Sequence, residues 1–177
     1  MQLHEEPTAI WQWAQSERDT GHTIALVPTM GFLHEGHLLL VREARKRADR
    51  VVVSIFVNPT QFGENEDLGT YPRDTQGDLD KLAREGVDAV FLPTPSTVYP
   101  KGFNTYIVPE TLATPLCGQS RPGHFRGVCT VVMLLFRMTQ CHVALFGQKD
   151  YQQLRILEQM NQDLWLGVDV VGMPIIR

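Results

Sequence analysis

Residues 23–37 read TIALVPTMGFLHEGH and contain the clearest structural signals in the chain. Its apolar, β-branched start from Thr23 to Val27 predicts a buried strand. The segment Leu38–Ala48 that follows has apolar residues at helical spacing, which predicts an amphipathic helix. Between the two, Gly31 and Gly36 allow the backbone to turn tightly. The stretch therefore predicts a strand, a turn and a helix in direct succession.

The same alternation continues along the chain. Further apolar runs predict strands at Val51–Val57, Ala89–Leu92, Tyr106–Val108, Val143–Phe146 and Val168–Val171. Helical periodicity predicts crossover helices at Pro72–Glu85, Phe125–Met138 and Tyr151–Gln162. This order predicts an α/β fold, a Rossmann-like doubly wound and mostly parallel sheet with helices on both faces, and we expect residues 1–177 to form one domain. Ligands of such sheets bind beyond the carboxyl ends of the strands.

Composition excludes several classes of protein. The 177 residues carry 16 Lys and Arg against 20 Asp and Glu, a formal charge of −4, which argues against a general binder of nucleic acid. The longest apolar stretch, Val131–Phe136, is far too short for a membrane helix, and the first residues lack a signal pattern. The three cysteines lack the close pairing of zinc or redox motifs. We expect a cytoplasmic protein with reduced, structural thiols and no membrane partner.

The turn after the first strand predicts an anion site. A helix N-terminus supplies unpaired N–H groups and a partial positive charge, both of which suit a phosphate. His34 and His37 are three residues apart, so they lie on one face of a helix that begins near Glu35, and both can donate to the same phosphate. An ordinary surface or helix-capping role for His34 is the alternative.

Two later strand ends carry further polar groups. Asn58 and Gln61 offer amides that can hold a hydroxy acid without adding charge, or they form a plain polar turn. Lys149 can place a positive charge on phosphate oxygens, or it is simply solvated. Asp150 and Gln153 have the spacing of a helix capping box as an alternative to a ligand-binding role.

Other charged residues leave their roles open. Arg121, His124 and Arg126 form a local basic cluster that either binds an anion or belongs to a solvated loop and helix start. Asp78 and Asp80 are compatible with metal binding and equally with a solvated helix. The sequence therefore assigns no metal ligands.

Several motifs together indicate a family. The chain contains, in this order, PTMGFLHEGH (28–37), FVNPTQF (56–62), YPR (71–73), RPGHFRGV (121–128) and FGQKDYQQL (146–154). Together they resemble the pantoate–β-alanine ligase (pantothenate synthetase) family of the HIGH-type nucleotidylyltransferase superfamily. The resemblance implies ATP-dependent condensation of pantoate with β-alanine through a pantoyl adenylate, with release of AMP and pyrophosphate. It also implies ATP as a substrate with Mg²⁺, and a homodimer.

The resemblance also assigns site residues. It implies ATP contacts for Met30, Gly31, Phe32, Leu33, His34, Glu35, Gly36, His37, Gly147, Gln148, Lys149, Asp150 and Ile176. We expect pantoate or β-alanine contacts from Gln61, Gln153, Met30, Asn58, Phe62 and Arg121. His34, His37 and Lys149 are implied to stabilise the transferring phosphate, with His37 as a candidate proton donor.

The resemblance stops at the end of the sequence. Members of the family continue beyond the segment that matches Gly172–Arg177 into a phosphate loop and a smaller domain that closes the site. We therefore expect the chain to be the larger, N-terminal domain without that lid. Two alternatives follow: a ligand-binding domain with little turnover, or another HIGH-type nucleotidylyltransferase. The second would lack the segments Asn58–Phe62 and Lys149–Gln153.

Overall fold

A parallel sheet forms the centre of the molecule. The structure is a computed structural model and describes residues 1–63 and 68–174. Within those residues, all strand pairs are parallel and the sheet has six strands in the order β1-β4-β3-β2-β5-β6. The strands are β1 (Gln2–His4), β2 (Ile24–Thr29), β3 (Arg50–Ile55), β4 (Ala89–Phe91), β5 (Val143–Gly147) and β6 (Asp169–Met173).

Helices connect these strands. They are α1 (Pro7–Asp19), α2 (Glu35–Arg47), α3 (Thr75–Arg84), α4 (Pro95–Val98), α5 (Cys117–Ser120), α6 (His124–Thr139) and α7 (Tyr151–Asp163). Short 3₁₀ turns lie at Pro59–Gln61, Leu68–Thr70, Thr111–Ala113 and Gln148–Asp150. Over the described residues, no helix has the length and apolar character that a membrane span requires.

The sheet is buried on both faces, because successive side chains of a strand point to opposite sides. Leu26 and Phe146 belong to one core cluster, which helices α1, α6 and α7 cover. Val27 and Leu145 belong to the other, which α2 and α3 cover. The predicted Rossmann-like fold with helices on both faces is confirmed.

The strand order places the site. Strand β2 pairs with β3 on one side and with β5 on the other, so the chain reverses its direction of winding at β2. In open α/β sheets a crevice opens at such a switch point, beyond the carboxyl ends of the two strands. Here those ends are Thr29 and Gly147, and both lead into predicted site segments.

One predicted strand is wrong. Tyr106–Val108 lies outside the sheet and runs over α6 instead. The N–H of Ile107 donates to Oγ1 of Thr130 at 3.0 Å, and the guanidinium carbon of Arg126 lies 3.5 Å from the centre of the Tyr106 ring. Val108 is 65% exposed, so an apolar side chain at this position does not indicate a buried strand.

The sequence reasoning also missed the first two elements. Strand β1 is three residues long and pairs with β4 at the edge of the sheet, so its side chains stay mostly exposed. Helix α1 has Pro7 in its first turn and buries Ile10, Trp13 and Ala14. That spacing of three and four residues is a helical signal that the sequence did contain.

Candidate functional site

A cavity of about 190 Å³ lies at the switch point. It brings together several of the predicted site residues, namely Met30, His37, Asn58, Gln61, Asp150 and Gln153. Helix α6 supplies apolar wall residues, among them Val128, Val132 and Leu135. A few polar groups set in an apolar wall are typical of a small-ligand pocket.

The two histidines of the turn cap helix α2. The helix begins at Glu35, with His34 as its N-cap. Nδ1 of His34 accepts a hydrogen bond from the N–H of Gly36 at 3.1 Å, and Nδ1 of His37 accepts one from the N–H of His34 at 3.3 Å. A ring nitrogen that accepts carries no proton, so each ring holds its proton on Nε2. The capping role of His34 is confirmed, and capping leaves both Nε2–H groups as donors.

The two rings lie together beside the cavity. Their centres are 4.1 Å apart, so the predicted pairing on one face of the helix is confirmed. Burial, and next the neighbouring His34, lower the pKa of His37 to about 4; Asp78 acts in the opposite direction, and Lys149 lowers it further. His37 is therefore neutral near pH 7, which favours a hydrogen-bond donor over a proton donor.

Two glycines make this turn possible. Gly31 has a φ of +86°, a backbone conformation that residues with a Cβ rarely adopt. A Cβ on Gly36 would lie 3.0 Å from Nδ1 of His34. It would crowd the same ring nitrogen that accepts the hydrogen bond from the N–H of Gly36. These contacts explain both glycines of the motif without reference to a ligand.

A buried carboxylate holds the turn, and the sequence reasoning missed it. Asp78 on α3 is 1% exposed. Its two oxygens accept from the N–H groups of Phe32 and Leu33, each at 2.7 Å. Lys81, one turn further along α3, donates to the carbonyl oxygen of Leu33 at 2.9 Å and lies 3.7 Å from Asp78. Asp78 is thus not a solvated helix residue, whereas Asp80 is exposed.

The residues of the turn divide between core and surface. Leu33 is buried, while Phe32 is half exposed and has a positive φ of 51°. The carboxylate of Glu35 pairs with Arg42, which also binds Glu85. Glu35 therefore points along the helix toward Arg42, so only its backbone N–H remains suited to an anion.

The loop after β3 provides one wall of the cavity. Nε2 of Gln61 lies 3.4 Å from Sδ of Met30, so the two side chains predicted to contact pantoate meet here. Phe62 does not line the cavity; it packs edge-on against Tyr71, with ring centres 6.1 Å apart, and Tyr71 lines it instead. Burial, and next Asp78, raise the pKa of Tyr71, so its hydroxyl stays protonated.

The end of β5 provides the opposite wall. Asp150 makes no side-chain capping bond to α7, so the alternative of a capping box with Gln153 is wrong, and both side chains line the cavity. Nε2 of Gln148 donates to the carbonyl oxygen of Gly172 at 3.3 Å, which ties this turn to β6. Lys149 is close enough to His37 to lower its pKa.

The predicted basic cluster separates into two parts. Arg121 lies with Nη1 3.2 Å from Nε2 of His124, and Nδ1 of His124 is 2.9 Å from the carbonyl oxygen of Gln61. A carbonyl can only accept, so His124 donates to Gln61 and accepts from Arg121. His124 thus holds the backbone of Gln61, Arg121 contacts His124, and neither residue lines the cavity. Arg126 stacks on Tyr106 instead.

Ile176, predicted to contact ATP, lies outside the described residues. In residues 1–63 and 68–174, no three His, Cys, Asp or Glu side chains group together as metal ligands.

Sequence comparison relates the chain to known ligases. The family model described as pantoate-beta-alanine ligase matches residues 2–177. A pantothenate synthetase of Myxococcus xanthus is 57% identical over 166 residues, which cover 93% of this chain and 57% of that relative. Another, of Geotalea uraniireducens, is 54% identical over 177 residues, which cover 100% of this chain and 63% of the relative. The chain therefore corresponds to only part of each curated relative.

Solved structures agree in fold. The pantothenate synthetase of Thermus thermophilus superimposes with a TM-score of 0.95 at 44% identity, covering 100% of this chain and 63% of that one. The Francisella tularensis pantoate-beta-alanine ligase, solved in complex with beta-gamma ATP and beta-alanine, gives a TM-score of 0.95 at 38% identity. That alignment covers 100% of this chain and 68% of the other.

Proposed function

We infer that this chain, which belongs to the pantoate–β-alanine ligase family, forms the ATP and pantoate site for the ATP-dependent synthesis of pantothenate. One observation carries the proposal. Two histidine Nε2–H donors stand at the N-terminus of α2, beside a cavity that also holds the amides of Gln61 and Gln153. The donors suit a phosphate, and the amides suit a hydroxy acid.

The proposed reaction has two steps. In the first, a carboxylate oxygen of pantoate bonds to the α-phosphorus of ATP, and the bond from that phosphorus to the pyrophosphate oxygen breaks. In the second, the amine of β-alanine attacks the acyl carbon of the adenylate, AMP leaves, and the amine nitrogen loses a proton. Both steps depend mainly on positioning and on neutralising charge, so they require no covalent nucleophile.

Each group has a role that follows from its place. The Nε2–H groups of His34 and His37 donate to phosphate oxygens as negative charge shifts among them. The N-terminal dipole of α2 and the ammonium of Lys149 add positive potential in a chain of net charge −4. Gln61 and Gln153 bind the polar groups of pantoate, and Met30 lies against its apolar part.

We extend the proposal to the metal and the assembly. Mg²⁺ is usually bound through substrate phosphates and one or two carboxylates, so we expect it to arrive on ATP. Asp150, which lines the cavity, supplies a carboxylate of the type that Mg²⁺ binds. A homodimer in the cytoplasm is proposed from the family. Light scattering on the purified chain tests the dimer, and a mass corresponding to a single chain would contradict it.

Calorimetry and a pyrophosphate assay test the function. ATP, pantoate and β-alanine are titrated separately into the chain, and pyrophosphate release is measured with and without pantoate. Pantoate-dependent release supports catalysis by this chain. Binding without release supports the alternative of a ligand-binding domain with little turnover. A chain that binds neither ATP nor pantoate would refute the proposal.

A variant tests the role of His37. His37→Ala removes one donor to the transition state and is expected to lower adenylate formation by roughly a hundredfold or more. His22→Ala is the matched control, because His22 pairs with Glu17 at 2.7 Å outside the cavity. A rate for His37→Ala within about threefold of the parent would reject the role, given the size expected for one donor.

A further inference from the structure

Asn58 is almost fully enclosed at the end of β3. It is 1% exposed, and each end of its amide has partners within the protein. Its oxygen faces the backbone N–H of Thr60 at 3.3 Å, and its nitrogen faces the carbonyl oxygen of Gly127 at 3.1 Å. A backbone N–H can only donate and a carbonyl can only accept, so the orientation of the Asn58 amide is fixed.

The orientation of Gln61 follows from that of Asn58. Nδ2 of Asn58 also lies 3.1 Å from the side chain of Gln61, and it can only donate. The Gln61 atom that it meets must therefore be the oxygen. This places the NH₂ group of Gln61 on the side of Met30, which lines the cavity with it.

Tyr99 holds this arrangement from a separate part of the fold. Its hydroxyl donates to Oδ1 of Asn58 at 2.8 Å. Two further donors to Oδ1 are both on Thr60, two residues along the same turn, at 3.0 and 3.3 Å. Tyr99 therefore supplies a donor that comes from outside the loop and ties it to the segment after α4.

The Tyr99 ring is itself fixed by packing. It lies edge-on to Phe103 with centres 5.0 Å apart, and Phe103 contacts Tyr106 at 5.3 Å. Burial raises the pKa of Tyr99, so the hydroxyl keeps its proton and remains a donor. Packing in this aromatic row restricts the ring that carries the donor.

We propose that Tyr99 is a positioning residue: it holds Asn58 in the orientation that these backbone contacts define, and Asn58 in turn keeps the NH₂ group of Gln61, rather than its oxygen, directed to the cavity. The inference rests on the proposed function, in which the cavity holds a hydroxy acid. The oxygens of a carboxylate and a hydroxyl accept from an NH₂ group, whereas a carboxylate would be repelled by a second oxygen. Tyr99 thus favours anionic, acceptor-rich ligands without touching them.

Tyr99→Phe tests the proposal, because it removes the hydroxyl and keeps the ring. Tyr106→Phe is the matched control, since Tyr106 contacts the same Phe103 but not Asn58. We expect the dissociation constant for pantoate to rise about three- to tenfold, as for the loss of one hydrogen bond. The dissociation constant for ATP should stay unchanged in both variants, a difference that general damage to the fold would not produce.

Side-chain amide exchange measured by NMR tests the same step without a ligand. The Asn58 amide protons should exchange slowly in the parent and in Tyr106→Phe, and faster in Tyr99→Phe. If Tyr99→Phe does not fold, Thr60→Val decides instead, because it removes the other hydroxyl donor to Oδ1 and leaves that of Tyr99. Asn58 exchange should then stay slow, and fast exchange in Thr60→Val would overturn the role of Tyr99. Unchanged Asn58 exchange in folded Tyr99→Phe, or unchanged pantoate affinity in it where the parent binds pantoate, also overturns the proposal.

The two ideas fail in different ways. A parent chain that does not bind pantoate refutes the proposed function, and amide exchange then decides the positioning of Asn58 alone. A Tyr99→Phe variant that binds pantoate as tightly as the parent refutes the positioning and leaves the function intact.

Discussion

The buried carboxylate of Asp78 offers a sharp test of how the turn before α2 is held. Asp78→Asn keeps the shape of the side chain and removes its charge. The carboxylate now accepts from two N–H groups, those of Phe32 and Leu33, at 2.7 Å each. An amide has only one acceptor oxygen, so its NH₂ group must face one of these two donors. The variant therefore turns one hydrogen bond into a contact between two donors.

The size of the effect follows from these contacts. A hydrogen bond to a charged group contributes about 1.5–3 kcal/mol, and a buried N–H left without a partner costs about 1–3 kcal/mol. The neutral amide avoids the cost of burying a charge, which offsets part of this loss. That saving is reduced because Lys81, 3.7 Å from Asp78, already compensates some of the charge in the parent. We expect the free energy of unfolding to fall by about 3 kcal/mol, or roughly 6–12 °C in Tm for a domain of this size.

Urea unfolding of the parent and two variants measures this loss. Asp80→Asn is the control, because Asp80 lies on the same helix but is exposed and accepts from the exposed side chain of Gln76. We expect Asp80→Asn to lie within about 0.5 kcal/mol of the parent, as is usual for surface substitutions. Equal midpoints for the two variants would show that the Asp78 carboxylate does not hold the turn.

Three other measurements test separate parts of the structure. The pKa of His37 is about 4 in the folded chain, against an ordinary value of 6.5, so between these pH values the unfolded chain binds a proton that the folded chain does not. The free energy of unfolding should therefore fall by about 2–3 kcal/mol from pH 7 to pH 4. His37→Gln should remove that part of the pH dependence in urea unfolding. Gly127→Ala places a Cβ 2.6 Å from the backbone N of Gln61 and should lower the urea midpoint strongly. Gly147→Ala should not, because no atom lies within 4 Å of its Cβ. Equal midpoints for the two variants would contradict the close approach at Gly127. An aromatic disulfide reagent should modify the exposed Cys117 in the native chain and spare Cys129 and Cys141. Burial raises the pKa of both of these thiols to about 12, so little reactive thiolate forms. Rapid modification of all three cysteines would contradict this burial.

The sequence was most informative where a signal is local. The run before Val27, the helix after Glu35 and the turn between them are each encoded by neighbouring residues, and their positions in the structure agree with prediction. The pairing of His34 with His37 is also local, because helical geometry alone brings residues three apart together.

Contacts between distant segments were not readable from the sequence. Asp78 binds Phe32 across 46 residues, and Asn58 binds Gly127 across 69. Neither carries a nearby pattern that distinguishes a buried partner from a solvated polar residue. The false strand at Tyr106–Val108 has the same origin, since apolar side chains that cover a helix look like those of a strand.

The pairing of β2 with β5 determines when the site can form during folding. The N–H of Ile24 binds the side chain of His142, a contact that spans 118 residues. Closing so long a loop is slow compared with forming a helix such as α2, because chain entropy is lost before native contacts compensate for it. The histidine pair can therefore assemble early on its own helix, while the wall that contains Asp150 joins it only after β5 docks. A refolding chain should regain its helical signal before the cavity between the ends of β2 and β5 is complete.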